Sequence, residues 1–235
     1  MAVTVRSGNL LLFTGDSITD SRVWFDQPGG LLDLINAGLK KIGGSPGTGF
    51  IAGKQGSSFI AGRLLGCAVR NTGVNGNVTG DIAADVPGRI TNYNPDVVVI
   101  LIGVNDVAGR VATATTLANM TTILSSTRAS LPSAQIGVVS IMCYGEAWTA
   151  GPPLAWNNGV TDTSFLEPDN VNFQALCATY NATFIDIRTP LLAIEPTINP
   201  TSQNQAFTID GVHPVEPASC VQMGTWAFPY FTVVP

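Results

Sequence analysis

Five short runs of apolar, largely β-branched residues punctuate the chain, at 9–14, 67–71, 96–102, 135–141 and 183–187. Between them the apolar positions change to helical spacing. Leu31, Leu32, Leu34, Ile35 and Leu39 fall on one stripe, as do Leu117, Met120, Ile123, Leu124 and Leu131, and residues 166–180 and 215–231 read as further helices. Strands that alternate with helices of ten or more residues predict a parallel sheet covered on both faces. Val97-Val98-Val99-Ile100-Leu101-Ile102 shows no alternation, as expected of a strand buried on both sides. With right-handed crossovers the simplest architecture is a three-layer α/β/α sandwich around a five-stranded parallel sheet. Such sheets collect their chemistry at the carboxyl ends of the strands.

Residues 43–62, rich in Gly and Ser, and 144–163, with Trp148, Pro152, Pro153 and Trp156, read as loops. Neither a repeat nor a linker interrupts the pattern, so residues 1–235 are expected to form one domain. Composition narrows the function classes. Hydrophobic residues make up 45%, which excludes disorder by low hydrophobicity. Eleven Lys+Arg and a formal charge of −5 leave no basic stripe, which argues against nucleic-acid binding. No apolar run reaches the roughly 18–20 residues of a membrane span. The opening Met-Ala-Val-Thr-Val-Arg lacks the blocks of a secretory signal. It suits either an internal protein or one whose leader has been removed, and the low-charge composition is compatible with a secreted or phage-particle origin. Cys67, Cys143, Cys177 and Cys220 show no C-x-x-C spacing, so scattered buried thiols are expected, with one or two disulfides as the alternative. Three glycosylation sequons, at Asn77, Asn119 and Asn181, are read as chance in so Asn- and Thr-rich a chain.

Several chemical motifs fail on inspection. Gly43-Gly44-Ser45-Pro46-Gly47 matches G-x-S-x-G, but the residue after the serine must offer an amide N–H and proline has none. Gly47-Thr48-Gly49 imitates a dinucleotide fingerprint without a preceding strand, and Gly49 to Lys54 misses the Walker spacing by a residue. One histidine and isolated cysteines supply no metal-ligand cluster. What survives is Ser17, in Gly15-Asp16-Ser17-Ile18-Thr19-Asp20 directly after the first strand. A serine hydroxyl needs a base, and His213, the only histidine, is the one imidazole available. Asp210 stands three residues before it, close enough to fix its tautomer. Asn105 ends the most buried strand, where it either caps the next segment or offers its amide to an oxyanion. Equally, Gly15-Asp16-Ser17 is compatible with an ordinary capped turn, and His213 with packing beside Gly211 and Pro214.

Taken together, these blocks resemble the SGNH, or GDSL-type, hydrolase family. They are Gly15-Asp16-Ser17-Ile18, Asn71-Thr72-Gly73-Val74-Asn75-Gly76, Gly103-Val104-Asn105-Asp106 and Asp210-Gly211-Val212-His213-Pro214, in the family's order and across almost the whole chain. Two departures bear on subfamily. Arg22 comes two residues after Asp20, where sugar esterases often have arginine at three, and Val-Glu-Pro-Ala-Ser-Cys after Pro214 lacks the usual small-residue pattern.

The resemblance implies a flavodoxin-like SGNH fold and ester hydrolysis through an acyl-enzyme, without cofactor or metal. Ser17 would be the nucleophile, His213 the base and Asp210 its orienting carboxylate. The Ser17 and Gly76 amides and the Asn105 side chain would form the oxyanion hole. The form of the first block looks most like short-chain and carbohydrate acetylesterases, so a small-molecule or carbohydrate ester is the expected substrate. Asp16, Trp148 and Trp156 are candidate substrate contacts, the tryptophans as a stacking surface for sugar. A lipase or thioesterase for longer acyl chains is compatible with the same residues. So is a non-catalytic carbohydrate-binding or structural domain, because fold does not guarantee activity.

Overall fold

The computed structural model describes residues 2–6, 8–20, 35, 59–60, 68–142, 163–194, 213 and 218–234. Its strands are β1 (Val3–Arg6), β2 (Leu10–Gly15), β3 (Phe59–Ile60), β4 (Ala68–Asn71), β5 (Val97–Leu101), β6 (Gln135–Val139), β7 (Thr183–Ile185) and β8 (Phe231–Val234). Its helices are α1 (Ser17–Asp20), α2 (Thr79–Ala84), α3 (Val86–Arg89), α4 (Val104–Ala108), α5 (Thr113–Ser130), α6 (Thr163–Thr179), α7 (Arg188–Ile194) and α8 (Ala218–Ala227).

The main sheet has the order β3-β4-β2-β5-β6-β7. The five expected strands are all present and every neighbouring pair among them is parallel. β5 lies at the centre with all five residues buried, as its unbroken apolar run predicts. The α5 stripe packs inward through Met120, Ile123 and Leu124, with Leu131 buried just past its end. Ile35 is helical and buried, while the rest of the 31–39 stripe lies outside the described residues.

The structure departs from the expected layout in two places. Residues 59–60, inside the expected 43–62 loop, form β3, an antiparallel sixth strand on β4. Two residues are too few to carry a period. The expected 215–231 helix ends at Ala227, after which a 3-10 turn containing Pro229 leads into β8, paired in parallel with β1. Proline removes a helical hydrogen bond, and the Phe-Thr-Val-Val that follows prefers extended backbone. Cys177 is a buried free thiol, and burial pushes it up to about 12. Cys67, Cys143 and the side chain of Cys220 lie outside the described residues.

The chain runs from β2 to β4 on one side of the sheet, then crosses to β5 on the other. The carboxyl ends of β2 and β5 therefore flank a topological switch point, where open α/β sheets bind ligands.

Candidate active site

At the end of β2 the backbone runs hard against β5. The Asp16 N–H donates to Leu101 O at 3.4 Å, and a Cβ on Gly15 would overlap that same carbonyl while lying 2.6 Å from Thr19 Oγ1. Only glycine fits. The next residue caps α1: Asp16 Oδ1 accepts the Ile18 N–H at 3.0 Å, and Asp16 O accepts Thr19 N–H at 3.1 Å and Asp20 N–H at 2.8 Å. Of the four amides in this short helix, only that of Ser17 has no acceptor among the described residues. The Ser17 hydroxyl lies 2.8 Å from His213 Nε2, across 196 positions of sequence. A neutral imidazole can accept the hydroxyl proton at that distance.

The second block is tied to the first through Asn71, the last residue of β4. Its Nδ2 donates to Thr19 O at 2.8 Å and Asp20 O at 3.4 Å, while its Oδ1 accepts Gly73 N–H at 2.8 Å. The Val74 N–H donates to Gly15 O at 3.0 Å. The loop then turns through Gly76, whose φ of +80° suits glycine. Its exposed amide, like that of Ser17, has no acceptor among the described residues.

The third block leaves β5 through Gly103, at φ +119° with Ile141 Cδ1 2.7 Å from where a Cβ would sit. Asn105 donates from Nδ2 to Asn77 O at 2.9 Å, one residue beyond Gly76. That bond uses one amide hydrogen of Asn105 and leaves the other. The sequence-predicted residues thus separate into three groups. Ser17 and His213 are in contact, Asn105 is bonded to the residue that follows Gly76, and Asp210, Trp148 and Trp156 lie outside the described residues.

Asp16 is a correction. It was expected as a substrate contact, yet it has no exposed surface, because its carboxyl turns inward to cap α1. Burial pushes it from an ordinary 3.8 to about 7; the Ile18 N–H and His213 oppose that shift and Asp106 adds to it. Its Oδ2 has no hydrogen-bond partner among the described residues. Asp106 and Asp169 are likewise buried, and burial raises both. Asp106 sits in a quoted block but has no role in the sequence reading, and Thr79 and Asp169 carry no signal there. Polar residues are too common in this chain for any of them to stand out.

Comparison with known proteins shows the family of this chain. A model of the GDSL-like lipase/acylhydrolase family matches residues 13–216. An acetylxylan esterase of Geobacillus stearothermophilus is 36% identical over 104 residues, which is 44% of this chain and 42% of that enzyme. The match therefore spans less than half the length of that relative. Among solved structures, a Parabacteroides merdae protein described as a GDSL-like lipase aligns with a TM-score of 0.68 at 19% identity, covering 98% of this chain and 100% of the other. Axe2, an acetylxylan esterase of Geobacillus stearothermophilus, aligns at 0.65 and 20% identity, covering 98% and 96%. At such identities the structural likeness speaks for the fold alone, whereas the family match takes in the end of β2, all of β3 to β7 and all four blocks, and reaches past His213. The chain belongs to the GDSL-like lipase/acylhydrolase family.

Proposed function

We propose that this protein hydrolyses carboxylic esters of short acyl groups, O-acetyl groups on carbohydrate above all, through Ser17, His213 and Asp210. The observation that carries the reading is the 2.8 Å contact between Ser17 Oγ and His213 Nε2 within a family-matched segment. The acetyl preference draws on the acetylxylan esterase relative.

In this mechanism His213 Nε2 takes the Ser17 proton as Oγ bonds to the ester carbonyl carbon. The carbonyl oxygen becomes an oxyanion and draws on the Ser17 amide, the Gly76 amide and the Asn105 side chain. Collapse breaks the carbon–oxygen bond to the alcohol, which leaves with the proton from His213. Water then gives a proton to His213 and attacks the acyl-enzyme, releasing the carboxylic acid and restoring Ser17. Asp210 orients the imidazole throughout, and the chemistry needs no cofactor. Trp148 and Trp156 remain proposed sugar contacts.

Covalent labelling with a p-nitrophenyl phosphonate, with Ser17→Ala as control, tests the nucleophile. Wild type should label once and the variant not at all, with ester hydrolysis lost and the urea midpoint kept. Hydrolysis at the wild-type rate by Ser17→Ala would remove Ser17 from the mechanism, and an unlabelled wild type would favour a non-catalytic domain. A panel of p-nitrophenyl esters of rising chain length, run beside acetylated xylan, then separates an acetylesterase from a lipase.

A further inference from the structure

The third block grips the Gly76 loop at two points. Asn105 holds Asn77 O, and the next residue, Asp106, accepts the Thr79 N–H at Oδ2, 2.8 Å, and the Thr79 hydroxyl at Oδ1, 2.5 Å. The hydroxyl is oriented from its other side, because Asn119 Nδ2 on α5 donates to Thr79 Oγ1 at 3.1 Å. With Asn119 donating to that oxygen, the hydroxyl proton is committed to Asp106. Both Asp106 and Thr79 have no exposed surface. Burying a carboxylate is costly unless its oxygens are hydrogen-bonded, and here both oxygens of Asp106 are spent on one residue of one loop.

We infer that Asp106 is a positioning residue for oxyanion stabilisation: by holding both donors of Thr79 while Asn105 holds Asn77, it fixes the chain directly after Gly76. The Gly76 amide is one residue from the first of these anchors. A donor contributes in full only when it is in place before charge develops. The loop that carries it must hold to within about 0.5 Å. The Gly76 loop has exposed residues at 74–76; Val74 N–H on Gly15 O and Asn75 N–H on Asp20 Oδ2, 3.3 Å, hold it before Gly76, and Asn77 and Thr79 hold it after. The inference rests on the acyl-transfer reading and adds to it a residue that touches no substrate.

Asp106→Asn, Thr79→Val and Thr79→Ser test it. The readouts are kcat per phosphonate-titrated site, KM for p-nitrophenyl acetate and the urea midpoint. Asparagine keeps one acceptor and presents a donor to a donor, so kcat per titrated site should fall about 10–100-fold, below the loss from deleting an oxyanion donor outright, with KM within about 3-fold. Thr79→Val should lower kcat by a smaller factor, because the Thr79 N–H contact survives, and Thr79→Ser should restore it. Unchanged kcat per titrated site in Asp106→Asn and Thr79→Val, with only the urea midpoint lowered, would overturn the inference and leave Asp106 a purely structural residue. If Asp106→Asn does not fold, the valine–serine comparison decides by the same criterion. Wild type that hydrolyses no ester would defeat the acyl-transfer reading before any substitution is made, and this inference with it.

Discussion

Asp16→Asn measures what it costs to bury a carboxyl beside Ser17. In the folded protein the Asp16 carboxyl holds its proton up to about 7, against 3.8 for an ordinary aspartate. Between those values the folded chain binds more protons than the unfolded chain. Stability therefore falls as pH rises, which is the reverse of an ion-paired aspartate. The separation is roughly three pH units, at about 1.4 kcal/mol each, so the full effect is about 4 kcal/mol. It is absent near pH 4 and complete above about pH 7. Asparagine has no such slope. Its Oδ1 can still accept the Ile18 N–H, but its NH2 takes the place of an oxygen with no partner among the described residues, a cost of about 1–3 kcal/mol at every pH. The variant should be the less stable protein at pH 4 and gain about 4 kcal/mol on wild type by pH 8. Urea denaturation of both proteins at unit pH steps, with equal m-values, reads this directly. A stability difference that stays constant from pH 4 to 8 would refute the reasoning, because it would mean that Asp16 titrates as an exposed aspartate does.

Asp169→Asn should behave in the same direction. Asp169 is pushed to about 7 by burial, with Thr113 opposing and Asp106 adding, and neither oxygen has a well-formed partner among the described residues. The double variant Asp16→Asn/Asp169→Asn should lose both slopes additively, within about 0.5 kcal/mol, and a shared slope would show that the two carboxyls titrate together. Asn105→Ala should lower kcat by about 10²–10³ with little change in KM, whereas a change confined to KM would place Asn105 in ground-state binding. Because His213 must be neutral to accept the Ser17 proton, kcat/KM should fall on acidification, and a profile that stays flat as the pH is lowered would require another base.

The central fold was legible because burial on both faces leaves a mark that composition cannot mimic: β5 is an unbroken apolar run, and the inward residues of α5 recur at helical spacing. The β1–β8 pair went unread for different reasons. Val3 and Val5 point inward while Thr4 and Arg6 are more exposed, an alternation present in the sequence but only four residues long. β8 follows so closely on α8 that its apolar residues merge with the helical stripe. In the site, Ser17 and His213 were legible because a chain with one histidine leaves one partner for an activated serine. The side chains that tie the loops together were not. Asn71, Thr79 and Asp106 act through hydrogen bonds to backbone and to one another, and nothing in their spacing separates them from the many other polar residues of this chain.

Asp16 shows why a motif can extend past the reacting atoms. A helix start leaves four amides without acceptors, and any of them would serve water or a neighbouring group as readily as an oxyanion. Here one residue removes the competition: the Asp16 side chain takes the Ile18 N–H, and its main-chain oxygen takes those of Thr19 and Asp20. The amide left over belongs to Ser17, whose hydroxyl meets His213. In the proposed mechanism nucleophile and donor are then on one residue, so their separation is set by covalent geometry. The remaining donors must be brought to it by the loops after β4 and β5. That division explains the hydrogen bonds between blocks. Val74 N–H and Asn71 fasten the second block to the first, and Asn105 and Asp106 fasten the third to the second. Each such bond is worth only about 1 kcal/mol to stability. A donor out of place when charge develops, at the 10–100-fold expected of Asp106→Asn, costs about 1.4–2.7 kcal/mol of transition-state stabilisation. The kinetic penalty is the larger, so these contacts should be read first in kcat and only second in the melting curve.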